Sequence, residues 1–213
     1  MADANTTERS EQGKRARSKA ANRQRILEAA RSVFARLGVE STTVRDIIRE
    51  TPLAAGTFYN YFKSKEEVFE ALADDSTARF RPRLARVRAE ATDFESYIRA
   101  AYRAYFEFLL SENQDAIESG APHMALIGVR VDTPEMHTIV QEIRSDLETR
   151  LSEGVASQID TEYVTAAAVG IAREMGDHML KRRPVDVDGA SRFAAELFLN
   201  GVARLGNHAR SDT

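Results

Sequence analysis

The chain has no cysteine. That absence removes disulfides, thiolate metal sites and cysteine nucleophiles together, and it fits a reducing compartment. Glycine and proline are sparse, eleven and five of 213 residues, which argues against a low-complexity or fibrous chain. The opening residues hold no apolar stretch of the kind a secretory signal needs. No later run approaches the roughly eighteen apolar residues of a membrane span. A cytoplasmic protein with no membrane partner is expected. Catalytic signatures are missing too: there is no H-E-x-x-H, no G-x-S-x-G and no phosphate-cradling glycine loop. Glu174 and His178 lie four apart, but no second pair at ligand spacing completes a metal site. The expectation is a chain that is not an enzyme, with neither cofactor nor metal.

What is present is ordinary globular material, 43% hydrophobic and 30% charged, long enough to bury a real core. The net charge of −3 conceals a polarity. Residues 9–65 hold thirteen Lys or Arg against five acidic residues, a net of +8, whereas residues 66–213 are net −9. Such a distribution turns one end of a molecule toward a polyanion. Seven of the basic residues, Arg9, Lys14, Arg15, Arg17, Lys19, Arg23 and Arg25, crowd ahead of and into the first helical pattern. An arm touching phosphates or the minor groove and a solubilising tail both fit that run.

Nearly every segment repeats its apolar residues with a helical period, so the fold class is all-α. Ile26, Leu27, Ala30, Val33, Phe34 and Leu37 place a helix over 21–37, closed by Gly38. A second helix, barely two turns, follows Thr42 and Thr43 as caps and turns Val44, Ile47 and Ile48 inward; Pro52 ends it. A shorter third reaches about Tyr61. Ser64 and Glu67 then have capping-box spacing for a fourth helix, and beyond Pro82 the helices lengthen. The chain divides into a disordered basic arm (1–20), a helix-turn-helix domain (21–66), a larger helical body (67–208) and a short disordered tail (209–213).

Three helices in about forty-five residues, the last two short and tightly joined, form the pattern of a DNA-binding helix-turn-helix. With Phe58 and Phe62 inward, Thr57, Asn60 and Tyr61 share the outer face of the third helix, flanked by Ala55 and Tyr59. Small residues at its start, including Gly56, permit close approach to a groove. Tyr59, Tyr61 and Lys65 suit phosphate oxygens, as do the N–H groups opening the second and fourth helices; Asn60 suits adenine, Thr57 a thymine methyl and Arg45 a guanine.

At this point TTVRDIIRETPLAAGTFYNYFKSKEEVF, Thr42 to Phe69, resembles the signature of the TetR family of transcriptional regulators. The resemblance extends over about 23–72. It implies a homodimer, double-stranded palindromic operator DNA, and a carboxy-terminal domain whose small-molecule ligand releases the DNA. Carried over by position, Thr43 and Tyr59 fall on phosphate contacts, with Thr42 beside them; Lys65 falls on the basic residue opening the fourth helix. Arg45, Thr57, Asn60 and Tyr61 fall on groove-facing positions. Two departures stand out. Ala54 replaces a hydroxyl that caps the third helix in relatives, and Ala55 lacks a side chain that often meets phosphate.

In the body, Tyr97 to Leu109 carry an aromatic face whose Tyr102, Tyr105 and Phe106 are candidates to line an effector cavity for an apolar or aromatic molecule. His123, Met124, Ile127, Met136, His137, Arg173, Glu174 and His178 are further candidates. The last two helices, small-residue rich, are expected to pair with their symmetry mates. The rival reading is a structural, nucleoid-associated DNA-binding protein that works without a small-molecule switch.

Overall fold

The computed structural model describes residues 3–120, 133–152 and 159–211. Among the described residues there are helices and no strand. They run in order α1 (Asp3–Leu37), α2 (Val44–Arg49), α3 (Ala55–Phe58), α4 (Lys65–Glu90), α5 (Phe94–Ser119), α6 (Pro134–Ser152), α7 (Thr161–Lys181) and α8 (Val187–Ser211). No described helix is long and apolar enough to cross a membrane. The chain forms two compact units, Met1–Leu72 and Ala73–Thr213. Their boundary lies inside α4, a few residues beyond the expected break after residue 66.

In the first unit, the inward stripe of α1 is the one its spacing predicts: Ile26, Leu27, Ala30, Val33 and Phe34 are all buried. Ile47 and Ile48 of α2, Phe58, Phe62, and Val68 and Leu72 of α4 are buried in the same unit. Each fully buried side chain of this size contributes about 1.5–3 kcal/mol. Phe34 and Phe69 meet edge to face, ring centroids 5.7 Å apart. Gly38 closes α1 at φ 77°, where its N–H returns to the Phe34 carbonyl at 2.8 Å, a conformation that side chains disfavour.

Two elements depart from expectation. Residues 3–20, expected as a disordered arm, belong to α1, and α8 likewise runs into the expected tail as far as Ser211. Between Gly13 and Gly38 the chain holds neither Gly nor Pro and is rich in Ala and Arg, so intrinsic propensity carries the helix outward despite the clustered charge. Pro82 lies inside α4. A proline inside a helix costs about 3 kcal/mol; burial of Phe80, Leu84 and Val87 on the surrounding turns offsets it.

In the second unit α5 is the central helix. Its Tyr97, Tyr102, Tyr105, Phe106 and Phe108 are buried against α4, α6, α7 and α8. Phe80 of α4 packs on Tyr105 and Phe108, each at 5.4 Å between centroids. Gly176 of α7 lets α5 approach closely, for a β-carbon there would overlap the Leu109 side chain. Asp93 caps α5 through a reciprocal box with Ser96, and Gly120 ends it in the left-handed conformation. A short polar side chain before the helix and a glycine after it are the residue types such ends require.

Candidate functional site

The reading head is built on α2 and α3. Thr43 caps α2: its Oγ1 accepts from the Asp46 N–H at 3.2 Å, and Asp46 Oδ2 accepts from the Thr43 N–H at 3.0 Å. The Thr43 hydroxyl also donates to that carboxylate at 2.6 Å. This hydrogen bonding, helped by Arg49 and Arg36, holds the Asp46 carboxyl below its ordinary range. A box of this kind sets where a two-turn helix begins. Arg36 of α1 then ties the far end of α2 by pairing with Glu50 at 2.8 Å.

α3 is a single turn. Ala54 at its N-cap provides no side-chain hydrogen bond, as its methyl group dictates. The missing cap costs about 1 kcal/mol relative to Ser, and packing compensates for it. Phe58 and Phe62 are 0% and 3% exposed, and Arg23 of α1 lays its guanidinium over the Phe62 ring at 5.2 Å. With this foundation, Ala55, Gly56, Tyr59 and Asn60 are exposed and Thr57 is half-buried. Tyr59 leaves 63% of its surface open. Nothing lies within 4 Å of where a Gly56 side chain would begin, so the backbone there can be approached closely.

The ten head residues expected from the sequence therefore divide. Thr43, Arg45, Ala55, Gly56, Tyr59 and Asn60 are exposed; Thr57, Tyr61 and Lys65 are half-buried. Thr42 is different: it is buried, and its hydroxyl donates to the Gly38 carbonyl at 2.7 Å, so it fastens the α1–α2 turn instead of facing outward. Lys65 also acts partly inward, its ammonium donating to the carbonyls of Val39 and Glu40 at 2.8 and 2.7 Å. Tyr61 accepts a hydrogen bond from Asn22 at 3.3 Å, which leaves its own proton to donate. Asn22 and Arg23 are positioning residues that sequence reasoning missed; at the basic start of a helix nothing marked them as braces for α3.

The second unit contains a cavity of about 90 Å³. Of the candidates, Tyr102, Tyr105, Met136 and Arg173 line it, together with Tyr97 of the same aromatic face and with Phe80, which the sequence pattern does not mark as a pocket residue. Phe106 is instead solid core, its ring tilted against those of Tyr102 and Tyr105. His137, Glu174 and His178 are exposed and do not line the cavity; His123, Met124 and Ile127 lie outside the described residues. The wall is apolar save for the phenols and Arg173. Tyr102 donates to the Ala168 carbonyl at 3.2 Å and Tyr97 to Asp146 at 2.9 Å. Burial pushes all three phenols upward, further for Tyr97 beside the Asp146 carboxylate. Among the described residues no cluster of three or more His, Cys, Asp or Glu could hold a metal ion.

A three-helix head whose last, very short helix stands exposed on a buried aromatic footing is a helix-turn-helix DNA-binding domain. Residues 26–72 match the family described as "Bacterial regulatory proteins, tetR family", and the chain carries the DNA-binding domain of the TetR family of transcriptional regulators. It is 39% identical over 56 residues to the HTH-type transcriptional repressor KstR2 of Mycolicibacterium smegmatis, a match spanning 26% of this chain and 27% of that one. Over 195 residues it is 24% identical to YdgC of Bacillus subtilis (strain 168), described as an uncharacterized HTH-type transcriptional regulator, covering 89% of this chain and 96% of that one. The fold over most of the chain is similar to the crystal structure of the regulator FadR from Bacillus subtilis in complex with stearoyl-CoA. The TM-score is 0.64 at 21% identity, over 84% of this chain and 98% of that one.

Proposed function

We propose that the chain is a homodimeric, ligand-responsive transcriptional repressor. It binds a palindromic operator in double-stranded DNA through α2 and α3, and it leaves that operator when a small apolar or aromatic effector enters the cavity of the second unit. The observation that carries this reading is the outward face of α3, where Thr57, Tyr59 and Asn60 stand on the buried Phe58 and Phe62. Short hydrogen-bonding side chains at that place suit the major groove, Asn60 toward adenine and Thr57 toward a thymine methyl, while Thr43 and Tyr59 suit phosphates. Arg45 is exposed on α2 within reach of the same role.

Dimerisation is supported by α7 and α8, which expose Tyr163, Phe193, Leu197 and Leu205 around the small residues Ala167 and Gly201. An apolar, close-approach surface of this kind suits pairing with a second copy, and a twofold pair offers two heads to two half-sites. The apolar cavity supports a switch and weighs against a structural nucleoid-associated protein, which needs none. The FadR structure, with stearoyl-CoA bound, is a case of a similar fold holding a ligand with an apolar chain.

Selection of bound sequences from random double-stranded DNA, with sedimentation of the free protein, tests the proposal. Enrichment of one inverted repeat by a dimer is the expected result. Dispersed binding with no enriched motif, or a protein that sediments as a monomer at micromolar concentration, overturns it. A screen for compounds that release the selected DNA then tests the switch.

A further inference from the structure

The basic stretch at the start of α1 is left unused by the contacts described for the head. From Gln12 to Leu27 the chain holds six Lys or Arg and no acidic residue. Two of the six are engaged: Arg23 lies over the Phe62 ring at 5.2 Å, and Arg25 donates to Asn22 at 2.9 Å. Lys14, Arg15, Arg17 and Lys19 are exposed and form no ion pair among the described residues. Cations crowded in this way on one helix repel one another, and a polyanion relieves that repulsion.

Helix geometry divides the four. Arg15, Lys19 and Arg23 lie four apart on one row of α1, and Asn22 stands beside that row. Asn22 and Arg23 are the residues that brace the end of α3, the first through Tyr61 at 3.3 Å and the second through Phe62. Arg15 and Lys19 therefore stand on the side of α1 that meets the reading helix, whereas Lys14 and Arg17 fall on the far side of the axis. At about 1.5 Å per residue, the helix carries this row from Arg23 to Arg15 roughly 12 Å beyond the brace. Each strand of a duplex places a phosphate about every 3.4 Å, so that reach spans about three to four base pairs.

We propose that Arg15 and Lys19 hold phosphates of the duplex flanking each half-site, about three to four base pairs outside the bases that α3 reads, whatever the sequence there. The inference rests on the operator reading above and lengthens its footprint. Charge complementarity and direct continuity with the head carry it. The helical support is essential to it, for a flexible tail scatters its charge while a helix presents one row to one place.

The test uses the full-length protein and the inverted repeat that selection from random DNA returns. Duplexes that end at the repeat are compared with duplexes extended by about four base pairs on each side, in two unrelated flanking sequences, at about 0.1 M salt. The extension should tighten binding at least about five-fold with either flank. The pair Arg15→Gln and Lys19→Gln should abolish that gain, whereas the charge-matched pair Lys14→Gln and Arg17→Gln should keep most of it. Glutamine suits a helix nearly as well as either cation, so α1 is retained, which circular dichroism checks. No gain on extension, a gain that survives Arg15→Gln with Lys19→Gln, or equal losses in the two pairs overturns the assignment while the operator reading stands. A gain confined to one flanking sequence makes the contact base-specific and overturns it as well. If selection enriches no inverted repeat, the operator reading falls and takes this inference with it.

Discussion

Tyr97 donates its hydroxyl to one oxygen of Asp146 at 2.9 Å, and the other oxygen of that carboxylate accepts from Arg88 Nε at 2.6 Å. Three helices, α4, α5 and α6, thus meet on one carboxylate at the edge of the cavity that Tyr97 lines. Arg150 completes the arrangement, its guanidinium 4.8 Å from the Tyr97 ring centroid and donating to the Arg88 carbonyl at 3.0 Å. Removing the phenol oxygen by Tyr97→Phe should cost about 1.5 kcal/mol, a hydrogen bond to a charged acceptor. Asp146→Ala should cost more, about 3 kcal/mol, because Arg88 then keeps only Glu142 at 3.6 Å. Urea unfolding of both variants checks the order; equal losses would mean that the carboxylate holds nothing but the phenol.

The three buried phenols predict an upper pH limit. Tyr97, Tyr102 and Tyr105 are all raised from the ordinary value near 10, chiefly by burial. Their folded forms hold the proton where the unfolded chain would release it. The stabilisation is complete below about pH 10 and declines above it, by about 1.4 kcal/mol per pH unit for each phenol. Urea midpoints measured from pH 8 to 11 should fall steeply past 10, and Tyr102→Phe should make that fall shallower. A slope that the substitution leaves unchanged would assign the loss to other groups.

Gly176 sets the distance between α5 and α7. Gly176→Ala should be close to neutral, since the overlapping atom is the flexible end of Leu109 and alanine favours a helix by about 1 kcal/mol. Gly176→Val should overpack the contact and cost about 1–3 kcal/mol, lowering the thermal midpoint by several degrees. A valine variant as stable as the parent would show that α7 is free to move away.

On the head, Asn60 and Tyr59 should separate specificity from affinity. Asn60→Ala should relax preference at one base pair of each half-site, by about 1–3 kcal/mol. Tyr59→Phe should weaken all sequences to a similar extent. Selection from random DNA with each variant distinguishes the two; identical profiles would refute the division of roles.

The helical amino terminus carries the basic residues Arg9, Lys14, Arg15, Arg17 and Lys19 within the first nineteen. Deleting residues 1–19 should flatten the plot of log affinity against log salt by about 0.9 for each phosphate that these side chains neutralise. An unaltered slope would leave those charges with no part in DNA binding.

Much of this was legible in the residues. The inward stripe Ile26, Ala30, Val33 and Phe34, the Thr43 cap, the Phe58 and Phe62 footing and the exposed Tyr59 and Asn60 follow from spacing and side-chain chemistry, which act over one or two helical turns. The roles of Thr42 and Lys65 did not follow. Thr42 has the same hydroxyl as Thr43, and only the path of the turn after Gly38 decides which one caps α2 and which returns to the Gly38 carbonyl. Lys65 reads as a free charge until the chain twenty-five residues earlier presents it with two carbonyls.

The sequence by itself determined that the chain is helical, where most helices begin and end, and that its amino-terminal part holds a DNA-binding head, because these depend on local periodicity and a contiguous motif. Only the tertiary structure decided that α4 continues through Pro82, that Arg173 borders a cavity while Glu174 and His178 do not, and that Phe106 is core while Tyr102 and Tyr105 line that cavity. Those outcomes depend on which side chains from distant segments arrive at the same place, and that packing is settled by the whole unit rather than by any one stretch of it.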